Sequence, residues 1–584
     1  MVDRTCDVLV VGAGLSGLYA ARALARAGVD VVVVEARRRV GGRVWTEPSG
    51  FGAVLDHGGQ WLGVGQDRLA ALAAELEVAT YPTYGTGTTV EWRGGRRHTY
   101  TGLVPTSNLP AVSGAIEAIF EFDLAVHTYV AGRAGAVPPA RALDRQTLGA
   151  WLDASVASPA ARSLLTTVLT GAFGADPAEL SHLFAVFALH AGGGLMNLVR
   201  TAGGVRDRRF VGGAQQLADA MARELGARVV LDAPVVGIRN AADHMEATCI
   251  RPVDESVADT FAAVLGQGRP GDRGPGAATA RGGGLERPWR VRARRAIVAV
   301  PPVLTGRIAW DPAPPTARQQ AVQRLPMGAV STVHCVYHRP FWRDDGLSGQ
   351  LVADDGAVRL TYDASPPDGR CGVLVGFVSG AACSGFDAAA LDDRRRVVVA
   401  DLERAFGARA GEPLEVVVRD WSADPFSGGG PMGGMAPGVL TGHAEALRRP
   451  VASVHWASAE TATEWFGTMD GALSAGARAA AEVLRAIGGD PSAVLQAGGV
   501  PGGDGGGAQR DRWGPGATEP PDTQGDATGL PDRLPDAELP PAGGAAGGRR
   551  GRRRSAELPP VDGAVGGGRG RRRPTEPPPV DSTR

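Results

Sequence analysis

Residues 6–17, CDVLVVGAGLSG, decide the fold class of this chain. Their apolar beginning predicts a buried strand, and the glycines that follow predict a tight turn. The next segment, LYAARALARAG (18–28), has helical spacing, and VDVVVVEA (29–36) predicts a second strand that ends on Glu35. Strand, glycine turn, helix and strand together form a βαβ unit, which indicates an α/β fold with a parallel sheet.

The glycines of this turn point to a dinucleotide. Gly12 permits the tight turn, Gly14 lets the backbone approach a pyrophosphate, and Gly17 lets helix and strand pack closely. The helix is predicted to start at Ser16, with free N–H groups and the positive end of its dipole toward the phosphates. Glu35 is placed to accept hydrogen bonds from ribose hydroxyls. A turn without a ligand is the alternative, but the complete βαβ unit argues against it.

The segment RRRVGGRVWT (37–46) narrows the type of dinucleotide. Two glycines allow close backbone approach, and Arg43 supplies a forked donor to an oxyanion. A solvated arginine cluster is the alternative, and it suits Arg37 and Arg38 better than Arg43. This RxGGR pattern resembles the second fingerprint of the FAD-containing amine oxidase superfamily, whose glycines and arginine lie against the diphosphate and the ribityl chain.

Composition limits the function classes. The chain has 584 residues and a formal net charge of −1, so we expect two packed units and no global field that would attract nucleic acid or membrane. It contains no lysine, which excludes any chemistry that needs one. Five scattered cysteines lack metal-site spacing, so no metal is predicted, and their reduced state suits the cytoplasm. No signal peptide or membrane-spanning segment is expected.

The resemblance and shifts in composition together predict the domain organisation. The resemblance implies a Rossmann-like FAD-binding domain from residues 4–80, 212–310 and 424–488, and an α+β substrate domain from residues 81–211 and 311–423. The Gly/Pro-rich residues 251–288 predict a disordered insertion between two strands, and residues 489–584 predict a disordered tail.

The tail contains a repeat of nineteen residues. AELPPAGGAAGGRRGRRR (537–554) recurs as AELPPVDGAVGGGRGRRR (556–573), and each copy ends in an arginine run. Such runs could bind a weak anionic partner. We favour a solvated tail without a particular partner, since no aromatic residues interleave with the arginines to stack bases.

Further segments resemble flavin-dependent monoamine oxidases in order, up to about residue 488. DHGGQWLG (56–63) is similar to the turn beside the isoalloxazine ring, residues 208–238 to the return into the FAD domain, and SAETATEWFGTMDG (458–471) to the terminal fingerprint. The fingerprint's helix, capped by Asp470, would point its N-terminus at the flavin pyrimidine edge, where its dipole stabilises the reduced ring. The cofactor-binding residues implied by the βαβ unit and this resemblance are Gly12, Gly14, Ser16, Gly17, Glu35, Ala36, Gly42, Arg43, Gly59, Gln60, Val235, Trp421, Glu460, Thr468 and Met469. For Trp421, plain core packing is the alternative.

Three departures from the family pattern lie at the reactive end. The family lysine that holds a water near flavin N5 corresponds to Thr332, and the two aromatic residues that sandwich the amine correspond to about Pro431 and Thr468. The cysteine that links covalently to FAD in the animal enzymes corresponds to Gly430. The resemblance therefore implies non-covalent FAD.

Two histidines are the candidate catalytic residues. His334 shares strand parity with Thr332 and could face the same cavity, and His190 lies on the segment 187–194. Either could move protons near neutral pH, with packed or surface histidines as the alternative. Phe377, Met196, Pro431 and Thr468 are expected to line the substrate cavity, although the apolar Phe377 and Met196 could equally be core.

The predicted function is oxidation of an amine or amino acid. Hydride would leave the carbon that bears nitrogen, the imine would hydrolyse, and dioxygen would reoxidise FAD to give hydrogen peroxide. Two alternatives stay open. One is a desaturase or tailoring enzyme acting on a bulkier non-amine substrate. The other is a non-catalytic FAD-binding protein tethered by its arginine-rich tail.

Overall fold

The structure is a computed structural model. It describes residues 3–102, 113–114, 116–117, 140–241, 243–250, 288–492 and 494. The predicted insertion at residues 251–288, apart from Pro288, lies outside the described residues, as does the tail beyond residue 494 with its repeat.

Twenty strands and fourteen α-helices make up the described fold. The strands are β1 Arg4–Val11, β2 Val31–Val34, β3 Thr46–Pro48, β4 Val54–Asp56, β5 Trp61–Leu62, β6 Thr80–Pro82, β7 Thr88–Arg93, β8 Arg96–Tyr100, β9 Arg208–Phe210, β10 Val229–Val230, β11 Val235–Asn240, β12 Met245–Cys249, β13 Trp289–Val298, β14 Ala309–Asp311, β15 Val330–Tyr337, β16 Leu347–Ala353, β17 Leu360–Asp363, β18 Gly372–Ser379, β19 Glu415–Asp420 and β20 Val454–Trp456. The helices are α1 Leu15–Arg26, α2 Asp67–Glu75, α3 Ala140–Leu143, α4 Leu148–Ser155, α5 Pro159–Phe173, α6 His182–Ala191, α7 Leu195–Val199, α8 Gln215–Leu225, α9 Pro302–Thr305, α10 Thr316–Gln323, α11 Ala381–Ala388, α12 Leu391–Phe406, α13 Val439–Arg448 and α14 Met469–Ile487.

The first large sheet has eight strands and is built around the N-terminal βαβ unit. Its order is β10-β2-β1-β13-β12-β11-β14, with β20 also paired to β13. Strands β10, β2, β1, β13 and β20 pair in parallel, whereas β12 runs antiparallel to both β11 and β13. Every residue of β2 is buried, as expected for a parallel strand covered on both faces. The α/β class predicted from the sequence is confirmed.

The second large sheet has seven strands in the order β19-β15-β18-β17-β16-β7-β8. Only the pairing of β16 with β7 is parallel. All eight residues of strand β15, the second strand in this order, are buried, because helices α11 and α12 pack on this sheet. Strands β7 and β8 of this sheet precede β10–β14 of the first sheet in the chain, and strands β15–β19 follow them.

Helices α1 and α14 lie against each other beside the first sheet. A Cβ at Gly476 would approach the carbonyl oxygen of Ser16 to 2.4 Å, so this contact requires glycine in α14. The same apolar cluster includes Val494, which is fully buried. The packed chain therefore continues past Gly489, where composition predicted the tail to begin.

No helix among the described residues combines the length and the apolar character that crossing a bilayer requires.

Candidate active site

A cavity of about 450 Å³ runs from the N-terminal βαβ unit to the wall formed by helices α5 and α6 and the second sheet. One end is lined by the glycine turn of the first sheet. The other end is lined by side chains that are mostly apolar and aromatic, including Phe173, Leu189, Tyr362 and Phe377. The cavity thus joins the predicted dinucleotide site to a second compartment.

The glycine turn has the geometry that its sequence predicts. Gly12 has a φ of +100°, a backbone conformation that favours glycine. A Cβ at Gly17 would lie 2.0 Å from the carbonyl oxygen of Gly12, so helix α1 could not lie so close to the turn with any other residue. A Cβ at Gly14, by contrast, would meet no atom within 4 Å, because Gly14 borders the cavity.

The N-terminus of α1 is open to a ligand. Gly14 is its N-cap residue, and no side chain caps the helix. Helix α1 begins at Leu15, one residue before the predicted start at Ser16. The Ser16 hydroxyl donates to the carbonyl of Ala457, so Ser16 lines the cavity with its side chain already engaged. Uncapped N–H groups at the positive end of a helix are suited to a phosphate.

Glu35 lies at the end of β2 and lines the cavity beside Ala36 and Val235. Its carboxylate accepts hydrogen bonds from the backbone N–H of Ala13, at 2.7 Å, and of Arg37, at 3.0 Å. These bonds hold the carboxylate in place at the cavity wall. The Arg37 guanidinium also lies 3.5 Å from this carboxylate, through Nη1. A carboxylate offers about four lone-pair positions, so it retains capacity for at least one ribose hydroxyl.

Arg43 is held by a buried carboxylate. Its two terminal nitrogens lie 2.6 and 3.0 Å from the oxygens of Glu460, and Nη1 also donates to the carbonyl of Pro431 at 2.8 Å. The Glu460 side chain is completely buried, and Glu460 stands behind Arg43 rather than in the cavity wall. The two terminal nitrogens of Arg43, which the sequence suggested for an oxyanion of the ligand, therefore bind the Glu460 carboxylate instead. This ion pair neutralises the charge of Arg43 where it lines the cavity.

The predicted flavin-side residues line the cavity in one group. Gly42 has a φ of +59° and lies against Gly14, and a Cβ at Gly59 would come within 2.9 Å of the Met469 side chain. The Gln60 side-chain oxygen accepts a hydrogen bond of 2.6 Å from buried Arg209. Gly42, Gly59, Gln60, Thr468 and Met469 all belong to the cavity lining.

The cap of helix α14 differs from the sequence prediction. Thr468, not Asp470, is the N-cap residue, and its hydroxyl accepts from the N–H of Gly471 at 3.2 Å. Asp470 turns away and accepts a hydrogen bond of 2.8 Å from the N–H of Leu69. Burial raises the pKa of Asp470 to about 6. Two cap-forming residues lie two positions apart here, and packing against helix α2 decides between them.

Thr332 stands where the family places a lysine, and its hydroxyl is engaged. It donates to the carbonyl of His57 at 2.9 Å, and the Trp421 indole N–H donates to the same carbonyl at 2.9 Å. Both side chains line the cavity. The hydroxyl and the indole therefore fix the backbone at His57 and Gly58, and neither group is a base.

The two candidate catalytic histidines do not line the cavity. His334 is completely buried, and its ring lies edge-on to His57, with 5.2 Å between the ring centroids. Burial and the neighbouring His57 hold the pKa of His334 well below its usual range. His190 is half-buried near the end of helix α6. Sharing strand parity with Thr332 did not bring His334 to the cavity, because His57 lies between.

The predicted substrate-cavity residues are mostly in place, and several were missed. Phe377, Pro431 and Thr468 line the cavity, whereas Met196 packs into the neighbouring apolar cluster. Three residues without a predicted role, Arg206, Trp61 and Tyr362, line the same compartment. Arginine is so frequent in this chain that nothing in the sequence distinguishes Arg206 from a surface residue.

These features fit a bound FAD. The open space at Gly14 and the uncapped helix accommodate a diphosphate, and Glu35 suits the ribose. In addition, the buried Ser458 hydroxyl lines the cavity and has no hydrogen-bond partner among the described residues. A buried polar atom of this kind indicates a missing ligand.

Comparison with known proteins identifies the family. Residues 15–484 match the model of the family described as flavin containing amine oxidoreductase. The chain belongs to the flavin-containing amine oxidoreductases. The putrescine oxidase of Kocuria rosea is 36% identical to this amine oxidoreductase over 483 residues, which cover 82% of this chain and 95% of that protein. The L-amino acid dehydrogenase of Synechocystis sp. is 32% identical, with 82% and 95% covered.

Solved structures agree with this assignment. The structure of a putrescine oxidase bound to putrescine superposes on this amine oxidoreductase with a TM-score of 0.73 at 32% identity, covering 82% of this chain and 99% of that one. Cyclohexylamine oxidase from Brevibacterium oxydans gives a TM-score of 0.73 at 29% identity, covering 83% and 99%. The family resemblance seen in the sequence is thus confirmed, and FAD-dependent amine oxidation is favoured over the desaturase and non-catalytic alternatives.

Proposed function

We propose that this amine oxidoreductase is an oxidase of primary amines or amino acids that uses dioxygen as electron acceptor. The observation that carries the proposal is the joined cavity, in which a complete dinucleotide site opens into an apolar compartment on a chain of this family. When bound, FAD supplies the redox chemistry: it accepts a hydride, and its reoxidation by dioxygen yields hydrogen peroxide.

The chain's own contribution is binding, orientation and exclusion of water. Helix α1 and Glu35 would hold the cofactor's diphosphate and ribose, and the N-terminus of α14 favours negative charge at the end of the cavity lined by Thr468 and Met469. The apolar walls disfavour a charged ammonium, so the amine is bound in its neutral form, from which hydride leaves readily.

No described side chain of the cavity wall is placed as a general base. Among the described lining residues the only carboxylate is Glu35, which belongs to the nucleotide end, and the only histidine is His57. Burial lowers the pKa of His57 to about 4, and its Nε2 is 3.0 Å from Glu47. We therefore propose that the amine loses its proton to solvent before it is bound, and not to His334 or His190.

The decisive experiment is anaerobic reduction of the purified full-length protein with a panel of amines and amino acids. Bleaching of the flavin absorbance by a panel member, followed by peroxide release on admission of air, is the expected result. Bleaching only by a carotenoid or a porphyrinogen would replace this function with the desaturase alternative. A flavin that none of these compounds reduces would support the alternative of a non-catalytic FAD-binding protein.

FAD is proposed to be bound non-covalently. All five cysteines lie in the described part of the chain, all are buried, and none lines the cavity. Acid precipitation should release all of the yellow colour into the supernatant. Colour that stays in the pellet would show a covalent link.

We also propose the domain boundaries predicted from the sequence and a cytoplasmic location. Five buried free thiols support a reducing compartment. Division into FAD-binding and substrate domains is supported by the two large sheets, since the first contains the βαβ unit and the second borders the apolar compartment. For the arginine runs of the tail, we retain the proposal of a solvated segment.

A further inference from the structure

A single guanidinium without a carboxylate partner stands in the substrate compartment. Arg206 lines the cavity, just before strand β9, and it is half-buried. One of its terminal nitrogens, Nη1, donates to the carbonyl of Leu198 in helix α7 at 2.5 Å. No ion pair to Arg206 occurs within the described residues, and its Nε, although buried, has no hydrogen-bond partner there.

Aromatic rings hold this guanidinium in place. It lies 4.5 Å from the ring centroid of Tyr362 and 5.5 Å from that of Trp61. The two rings contact each other edge-on at 5.5 Å, and Phe377 lies 6.1 Å from Trp61. Cation–π contacts and a backbone anchor position the charge without neutralising it, so four of its five N–H donors remain for other acceptors.

The neighbouring Arg209 shows what a purely structural arginine looks like in this fold. It also lies near Trp61, with 5.8 Å to the ring centroid, but it is completely buried and faces Asp56 at 3.4 Å and Gln60 at 2.6 Å. Its charge therefore has a carboxylate partner and its two terminal nitrogens have acceptors, although its buried Nε, like that of Arg206, has no hydrogen-bond partner among the described residues. Arg206, by contrast, has one backbone acceptor and no carboxylate partner within the part of the chain that the structure describes.

Charge balance in the compartment favours an anionic ligand. Glu35 is the only carboxylate among the described lining residues, and it is engaged at the nucleotide end. A buried or half-buried cation without a counterion attracts one, and a carboxylate accepts from an arginine fork better than any neutral group does. A second ammonium group in the substrate would instead be repelled.

We propose that Arg206 binds the carboxylate of the substrate, so that the compartment takes amino acids, or other amines bearing a carboxylate, in preference to simple amines and diamines. The aromatic group around Arg206 would contact the apolar part of the same molecule. This inference rests on the proposed amine oxidation for its substrate class, but carboxylate binding itself can be measured without turnover.

The binding experiment uses benzoate and benzamide, which differ in charge but scarcely in shape. Full-length FAD-loaded protein is titrated with each, and binding is followed by calorimetry and by the flavin difference spectrum. Benzoate should bind at least about tenfold more tightly than benzamide. In Arg206→Gln the affinity for benzoate should fall about 10- to 100-fold while that for benzamide changes little.

Arg206→Lys is the matched control, since it keeps the charge and loses the fork, and it should retain part of the preference for benzoate. It also serves if the glutamine variant fails to fold, which flavin content and circular dichroism would show. Equal benzoate affinity in the wild type and a folded Arg206 variant would overturn the proposal.

Turnover of phenylalanine and 2-phenylethylamine, which differ by the carboxylate, separates this inference from the proposed function. The wild type should have the higher kcat/KM for phenylalanine, and Arg206→Gln should reverse the order. Oxidation of amines without any preference for benzoate would refute the carboxylate site and leave the oxidase function intact. Benzoate binding that depends on Arg206, without oxidation of any amine, would support the carboxylate site and refute the oxidase function.

Discussion

Gly14 and Gly17 lie three residues apart in the same turn but have opposite surroundings. A Cβ at Gly17 would meet a backbone oxygen at 2.0 Å, whereas a Cβ at Gly14 would meet nothing within 4 Å. Gly14 has a φ of −70°, which any residue adopts. Gly14 is therefore required by a ligand that approaches it, and Gly17 is required by the fold.

This contrast predicts different outcomes for two alanine variants. Gly17→Ala should lower the free energy of unfolding of the apoprotein by about 3 kcal/mol or more, because the backbone must shift. Gly14→Ala should leave that stability unchanged and weaken FAD retention about tenfold, because the methyl group enters the space of the diphosphate. Urea unfolding and flavin titration measure the two effects. An unstable Gly14→Ala apoprotein would contradict this assignment.

The ion pair between Arg43 and Glu460 is a second test at the residue scale. Glu460→Gln should cost about 3 kcal/mol in urea unfolding, since it leaves a largely buried guanidinium without its counterion. Asp344→Asn is the matched control. It breaks ion pairs with Arg339 and Arg409, in which all three side chains are about half exposed or more, and it should cost less than about 1 kcal/mol. Similar losses in both variants would show that burial of the Arg43 pair has no energetic consequence.

At the scale of elements, the start of helix α14 combines a cap and a buried acid. Thr468 satisfies the helix end, and Asp470 is left to accept from Leu69 on helix α2. Sequence alone could not separate the two, because both residue types cap helices well. The contact between α2 and α14, which are far apart in the chain, determines that Thr468 caps the helix and that Asp470 binds Leu69.

The raised pKa of Asp470 predicts a stability profile. Its value in the folded state, about 6, exceeds the ordinary 3.8, so the folded protein binds the proton more tightly than the unfolded chain does. The associated stabilisation is fully present below pH 3.8 and is lost as pH rises to about 6. Relative to Asp470→Asn, whose amide oxygen still accepts from Leu69, the wild type should lose at most about 3 kcal/mol across this range. Parallel stability curves for the two apoproteins would disprove the prediction.

At the scale of the whole molecule, the packed core includes Val494, a residue that composition assigned to the disordered tail. Val494 is fully buried in the cluster formed by helices α1 and α14 and the first sheet. A chain that stops after residue 494 should keep the melting temperature and flavin content of the full-length protein. One that stops after residue 488 should lose about 2 kcal/mol, the value of burying one valine side chain. Equal thermal unfolding of both truncations would place the end of the core before Val494.

The sequence by itself determined the parts of this protein that depend on local pattern: the βαβ unit, the glycine turn, the acid at the end of β2 and the family. These follow from short spacings, because a glycine turn and its helix require the same residues wherever they occur. Only the tertiary structure decided that Glu460 forms an ion pair with Arg43, that His57 separates His334 from the cavity, and that Arg206 lines the apolar compartment. The first two depend on contacts between elements more than a hundred residues apart in the chain. The third depends on the position of one arginine among many in the sequence. Packing alone determines which charges meet a partner and which face a ligand.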